Sequence, residues 1–159
     1  MPRETPNVDH PVFKVLKESF PSCRFKATEF RNQSTLIVEP SDLHRVMAFL
    51  RDDPRCDYNF LSDVIGVDYL NYPAKTQGRF AVIYNLISHK RDCRFFVKVF
   101  LDPTLPTDGT AEDPGLVLDS VTDLWAGAEW TEREVFDMLG IRFRNHPDLR
   151  RILTWEAFP

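Results

Sequence analysis

Three acids stand within six consecutive positions near the C-terminus, Glu132, Glu134 and Asp137. Carboxylates so spaced are raw material for general acid–base chemistry, and on a helix Glu134 and Asp137, three apart, share a face. Such chemistry needs a group to act on, and no nucleophile or metal ligand stands beside them. The same residues have a local, structural use. Thr131-Glu132-Arg133-Glu134 reads as a capping box, with the Thr131 hydroxyl accepting from a first-turn amide and Glu134 reaching back to the Thr131 amide. Asp137 falls one turn after Arg133, within pairing reach. Val135, Met138 and Leu139 make an apolar stripe, and Gly140 supplies a left-handed stop. The spacing predicts a helix that starts at Thr131, whose charges serve its own folding and which contains no catalytic residue.

Polar groups concentrate beyond Gly140. Ile141 to Arg144 alternates apolar with basic, and Asn145 to Leu153 reads as extended or turning chain. Arg142, Arg144, Arg150 and Arg151 face a single acid, Asp148, in that run, a basic patch in a chain of formal charge −4. The planar guanidinium suits bidentate pairing with carboxylates and is enriched at protein interfaces. These four arginines, together with His146, are therefore the candidate partner-interface residues, and they lack an internal explanation. Apolar Ile152 and Leu153 beside them favour a protein neighbour over a phosphate or lipid headgroup. His146 precedes Pro147, and a lone histidine more commonly serves as hydrogen-bonded structure than as a proton carrier.

Other chemistries find little support. Cys23, Cys56 and Cys93 are too widely spaced to hold an iron–sulfur cluster or structural zinc, so no metal or cofactor site is expected in this chain. Their odd number and spacing read as reduced thiols, one bridge plus a free thiol being the other option. No nucleophile elbow or P-loop is present. The net charge of −4 argues against a nucleic-acid partner. No run of apolar residues is long enough to span a bilayer, and the first eleven residues contain no apolar leader segment. Any membrane association is expected through partners.

With 43% hydrophobic and 28% charged residues, 159 residues suffice for one core. Helical spacing appears at Val12 to Phe20, and again in Leu43, Val46, Met47 and Leu50 after a Ser41 cap. Thr35 to Val38 reads as a short strand. Tyr58 to Leu70 reads as a strand bulged or bent near Gly66, and Arg79 to Ser88 as one covered on both faces. Cys93 to Leu101 pairs with the latter through a four-residue connector, too short for a parallel crossover. Asp102 to Gly115 has the composition of an exposed loop, and Val121, Leu124, Trp125 and Ala128 suggest a short helix capped by Asp119 or Ser120. His44 falls at the edge of its helix with no special role, and His10 and His89 read as ordinary loop or terminal residues. The fold class expected is α+β, a mostly antiparallel sheet covered by helices, with a helical and extended C-terminal tail. Residues 1–115 form the sheet domain and 116–159 the C-terminal helices and signature segment, one structural unit overall.

The run W-T-E-R-E-V-F-D-M-L-G-I-R-F-R-N-H-P-D-L-R-R-I-L, Trp130 to Leu153, resembles the signature of the C subunit of NADH-quinone oxidoreductase, respiratory complex I, whose relatives include the J subunit of chloroplast and cyanobacterial complexes. Glu132, Arg133, Glu134, Asp137 and Gly140 of the signature helix carry the match, with His146-Pro147 and Arg150 to Leu153. Asp57 to Tyr69 and the strand pair after it also resemble the family. The first 35 residues and the Asp102 to Gly115 loop match only in layout, and the resemblance departs at Trp155 to Pro159, past which family members usually continue.

The resemblance implies a cofactor-free subunit of the peripheral arm of a proton-pumping enzyme that passes electrons from NADH through FMN and iron–sulfur clusters, all held by partner subunits, to quinone. It implies packing on the D subunit, which with the B subunit frames the quinone cavity. The implied location is peripheral, on the cytoplasmic face of a bacterial inner membrane or the matrix face in mitochondria. The alternative it leaves open is the equivalent scaffold subunit of a membrane-bound hydrogenase or ferredoxin-linked complex.

Overall fold

The computed structural model describes residues 10–106, 112–155 and 158. Helix α1, Pro11–Ser19, starts where Pro11 occupies the first turn and the His10 ring accepts from the Val12 amide. His10 also lies 5.1 Å from the Phe95 ring, so it is a cap packed on the core and not a free terminal residue. Strands β1 (Lys26–Phe30) and β2 (Gln33–Val38) form a hairpin closed by Arg31 and Asn32, both at positive φ, the two-residue turn whose twist matches paired strands. Helix α2, Leu43–Asp52, buries Leu43, Val46, Met47 and Leu50. A short 3-10 turn, Pro40–Asp42, leads into it, so the expected Ser41 cap is not made; Asp42 takes the Arg45 guanidinium instead.

Strands β3 (Phe60–Asp68), β4 (Phe80–Ser88) and β5 (Cys93–Leu101) complete a five-stranded sheet ordered β1-β2-β5-β4-β3. Three of its pairings are antiparallel and β2–β5 is parallel, which bears out a mostly antiparallel α+β fold. Strands β6 (Val117–Asp119) and β7 (Arg142–Arg144) pair in parallel as a second, small sheet, with helix α3, Ala128–Leu139, between them in sequence.

Alternation decides what the large sheet buries. Leu36 and Val38, Leu61 and Val64, Val82, Tyr84 and Leu86, and Phe95, Val97 and Val99 point to one face and join α1, α2 and α3 in a single core. The opposite face, with Ile37, Ile83, Phe96, Lys98 and Phe100 half-buried, carries none of these helices. β4 is thus fully covered on one face only, contrary to the expectation from its unbroken apolar run. The irregularity in β3 falls between Leu61 and Asp63, and Gly66 has a different use. A Cβ at Gly66 would come within 2.5 Å of Leu139 Cδ1 and 3.1 Å of Val135 Cγ1, so the missing side chain lets α3 lie close on β3. We expect Gly66→Val to lower stability by roughly 1–3 kcal/mol through overpacking, with Gly66→Ala milder because the Leu139 tip can rotate. Thermal unfolding of both variants checks this; an unchanged Val variant would contradict the close approach.

Residues 107–111 of the expected exposed loop lie outside the described residues. Its flanks are gathered by buried Asp113, whose carboxylate accepts the amides of Thr104, Leu105 and Gly115 and the Thr104 hydroxyl. Burial works to raise its pKa, and these donors outweigh burial and hold it at about 2.

Candidate functional site

Helix α3 begins at Ala128, three residues before Thr131. The Thr131 hydroxyl donates to the Ala128 carbonyl, and Glu134 stands exposed, so the capping box is not formed. The predicted helix at Val121 to Ala128 is instead a pair of hydrogen-bonded turns that swing the chain from β6 into α3, with Trp125 buried beneath them. Gly140, at φ 71°, ends the helix in the left-handed conformation expected of it, its amide donating to the Phe136 carbonyl.

Three charged residues of α3 each hold a different stretch of chain. Glu132 is fully buried; Ser120 Oγ–H donates to its Oε2 at 2.7 Å and the Val121 amide to its Oε1 at 2.8 Å. Burial pushes its pKa up to about 7 against the pull of those two donors, with Asp123 adding to the rise and His44 opposing it. Arg133 donates from Nε and Nη2 to the carbonyls of Arg150 and Arg151, each at 3.1 Å, and its guanidinium lies over the Trp130 ring. Asp137 accepts the amides of Ile152, Leu153 and Thr154 at 2.7–3.0 Å and the Thr154 hydroxyl. Burial opposes ionisation of Asp137, yet these donors hold its pKa well below the usual carboxylate range. The expected Arg133–Asp137 pair is therefore replaced by two staples: the helix grips carbonyls of the C-terminal segment with one residue and its amides with the other.

His146 fixes the same segment from within. Its side chain is inaccessible to solvent, Nε2 donates to the Glu129 carbonyl at 3.0 Å, and Nδ1 accepts the Asp148 amide at 3.1 Å. A residue so placed presents nothing to a partner, unlike the arginines it was grouped with. Those arginines do have internal partners, contrary to expectation. Arg142 pairs with Glu112 at 3.0 Å, Arg144 with Asp119 at 2.9 Å and Arg150 with Asp148 at 2.8 Å, while Arg151 donates to the Phe158 and Trp155 carbonyls. His44, expected to be idle, lies 3.0 Å from both carboxylate oxygens of Asp123 and ties α2 to the turn before α3.

Chemically, this arrangement binds chain to chain. Glu132 faces inward, Glu134 outward, and Asp137 has its oxygens occupied, so the three acids do not converge. Among the described residues no group of three or more His, Cys, Asp or Glu side chains could hold a metal ion, and all three cysteines are free. Sequence reasoning singled out Leu153 beside the arginines but did not decide the rest of the apolar surface around the staples. Trp130 and Met138 are 63% and 58% exposed on α3, and Leu153, Trp155 and Phe158 are exposed on the segment it holds. No periodicity marks such residues, because an exposed apolar side chain reads like a core one until the fold places it.

Residues 36–159 match the family model described as respiratory-chain NADH dehydrogenase, 30 Kd subunit. The C subunit of NADH-quinone oxidoreductase from Roseiflexus sp. is 39% identical over 93% of this chain and 79% of its own length. That from Citrifermentans bemidjiense is 42% identical over 91% and 81%. NADH-ubiquinone oxidoreductase subunit 9 of Reclinomonas americana is 40% identical over 90% of this chain and 63% of its own. Among solved structures, a trypsin-resistant fragment of Nqo5 superposes with a TM-score of 0.67 at 33% identity, covering 87% of this chain and 98% of the fragment. A chain in the membrane-bound sulfane sulfur reductase, an archaeal respiratory membrane complex, shares the fold at 18% identity and a TM-score of 0.65. A match over most of the chain, through the staples of α3 and the segment they hold, shows that the chain belongs to the family of the respiratory-chain NADH dehydrogenase 30 Kd subunit, which is the C subunit of NADH-quinone oxidoreductases.

Proposed function

We propose that this chain is a cofactor-free scaffold subunit in the peripheral arm of a proton-pumping NADH-quinone oxidoreductase. It packs on the D subunit beside the B subunit and the quinone cavity, on the cytoplasmic face of a bacterial inner membrane, or the matrix face in a mitochondrion. FMN and the iron–sulfur clusters reside in partner subunits. No helix among the described residues is long and apolar enough to cross a membrane, which agrees with attachment through partners.

The observation that carries this reading is the pairing of buried charge with exposed apolar surface in one segment. Arg133 and Asp137 fix α3 and residues 150–154 together, Glu132 anchors the same helix to residues 120 and 121, and the surface so held presents Trp130, Met138, Leu153 and Trp155 to solvent. Tryptophan and arginine dominate the energetics of protein interfaces, and an irregular segment held in one shape costs less to dock than a free one. Arg142 and Arg144 follow α3 in the chain and Arg150 and Arg151 lead into the residues it holds, each already paired internally but at least partly exposed, and a partner carboxylate can share or replace those pairings.

We expect Arg150→Ala with Arg151→Ala to reduce the fraction of chain recovered in the intact assembly by roughly fivefold, with Arg151 the larger contributor because it also holds the Trp155 and Phe158 carbonyls. Native gel migration after mild detergent extraction measures this. Undiminished assembly with full quinone reductase activity in the double variant would remove the interface from this surface.

A further inference from the structure

The face of the large sheet opposite the helices mixes apolar with polar and cationic side chains and carries none of the three helices. Thr35 and Ile37 of β2, Ile65 of β3, Ile83 of β4, and Phe96, Lys98 and Phe100 of β5 line an open groove of about 660 Å³, together with Thr28, Phe30 and Gln33 of the β1–β2 hairpin and Lys75 to Gln77. Strand register adds Lys26, opposite Ile37, and Arg94, opposite Ile87, to the same face. Lys98 stands at its centre, donating to the Tyr69 hydroxyl at 2.6 Å, with its ammonium 4.5 Å from the Phe100 ring centre. Among the described residues none of Lys26, Lys75, Arg94 and Lys98 forms an ion pair, whereas each C-terminal interface arginine but Arg151 has an acid at 3.0 Å or closer. No acid lines the groove, and the one carboxylate that strand register places on this face, Asp63, lies beyond the lining and caps its neighbour's amide. In a chain of net charge −4, unpaired cations are gathered around an apolar floor.

We propose that this open sheet face is a second docking surface, distinct from the α3 side, which takes an acidic segment of another protein subunit of the assembly, its carboxylates meeting Lys26, Lys75, Arg94 and Lys98 and its apolar side chains filling the groove; this rests on the assembly reading above. Exposed apolar area of this kind marks a binding surface in a soluble domain, and the charge pattern selects the partner by sign. The aliphatic floor of Ile37, Ile65 and Ile83 and the acidic remainder of the chain favour a carboxylate-bearing protein over a nucleic acid, which would need a broad cationic footprint.

The test uses the native assembly in its own membrane. Phe30, 71% exposed in the groove's lining, is replaced by photoreactive p-benzoylphenylalanine, and the cross-linked peptide is identified by mass spectrometry. The same experiment is repeated with Lys26→Glu and Lys75→Glu, exposed positions that leave the core untouched. The expected result is one cross-linked peptide, rich in Asp and Glu and belonging to another subunit, whose yield falls at least fivefold on charge reversal. Recovery of the chain in the assembly with no such cross-link overturns this surface while leaving the assembly reading intact. So does a cross-link to a second copy of the chain, to lipid, to nucleic acid, or to a peptide without acids. A chain that co-purifies with no other subunit overturns both.

Discussion

Asp137→Ala is expected to detach residues 152–154 from helix α3 and to lower global stability by on the order of 2–4 kcal/mol. The carboxylate has no accessible surface and receives three amides and a hydroxyl. Alanine leaves all four donors without an acceptor. Donors in irregular chain can turn to water, so part of the loss appears as local release and only part as global unfolding. Asp137→Asn keeps one carbonyl oxygen for the three amides and turns the other acceptor into an NH2 that can donate to the Thr154 hydroxyl oxygen, so its cost is smaller, roughly 1 kcal/mol. Hydrogen exchange at Ile152 to Thr154 and limited proteolysis after Arg150 or Arg151 separate the two variants. The sign of the pH dependence follows from the lowered pKa. The stabilisation is complete above the ordinary carboxylate range and is lost only as pH falls toward the lower folded-state value, so in wild type the segment stays attached until strongly acidic pH. Unchanged amide protection in the Ala variant would contradict the staple.

Glu132 carries the second large effect, with the opposite sign. Its folded-state pKa of about 7 lies above the ordinary 4.5, so between those values the folded chain keeps a proton that the unfolded chain releases. Stability therefore falls as pH rises from about 4.5 to about 7 and levels off above, a difference on the order of 3 kcal/mol. Glu132→Gln mimics the protonated form: its carbonyl can accept the Val121 amide while its amide group meets Ser120 Oγ. We expect it to flatten the fall and to match or exceed wild-type stability at pH ~8. Glu132→Ala leaves the Val121 amide without an acceptor and the Ser120 hydroxyl with Thr122 Oγ1 alone, beside a new void, and costs roughly 2–4 kcal/mol across the range. His10, whose pKa is lowered by burial and by Arg91, contributes a change of the other sign, with stability lost as pH drops below about 6.5. The difference between wild type and the Gln variant isolates Glu132. Denaturant midpoints at pH 5, 6, 7 and 8 would contradict the account if the two slopes coincided.

What the sequence disclosed followed the strength of its periodic signal. The stripe of α2 and the β4–β5 hairpin are read directly, because long elements with one buried face print their period in the chain. β1 was missed because all five of its residues are exposed and Lys-Ala-Thr-Glu-Phe shows no alternation. β6 and β7 are three residues each and pair across more than twenty positions, beyond the reach of any local pattern. At the site, Gly140 was legible because only its left-handed geometry needed explaining. The roles of Glu132, Arg133 and Asp137 were not, because charged residues on a helix have good local partners on paper. Here tertiary partners prevailed, since the backbone of residues 120–121 and 150–154 brings donors and acceptors that Thr131 and Glu134 cannot match. The arginines misled for the mirror-image reason: Glu112 and Asp119, remote in sequence, stand beside Arg142 and Arg144 only after β6 and β7 pair.

The central claim is that this chain works as a scaffold inside a respiratory assembly. An affinity tag on the chain, mild detergent extraction of its native membrane and a mass-spectrometric inventory of what co-purifies test it most directly. The account predicts stoichiometric recovery of the D and B subunits together with flavin-bearing and NADH-binding subunits. Recovery of the chain alone, or with a nickel-ligating large subunit and no NADH-binding partner, would contradict it.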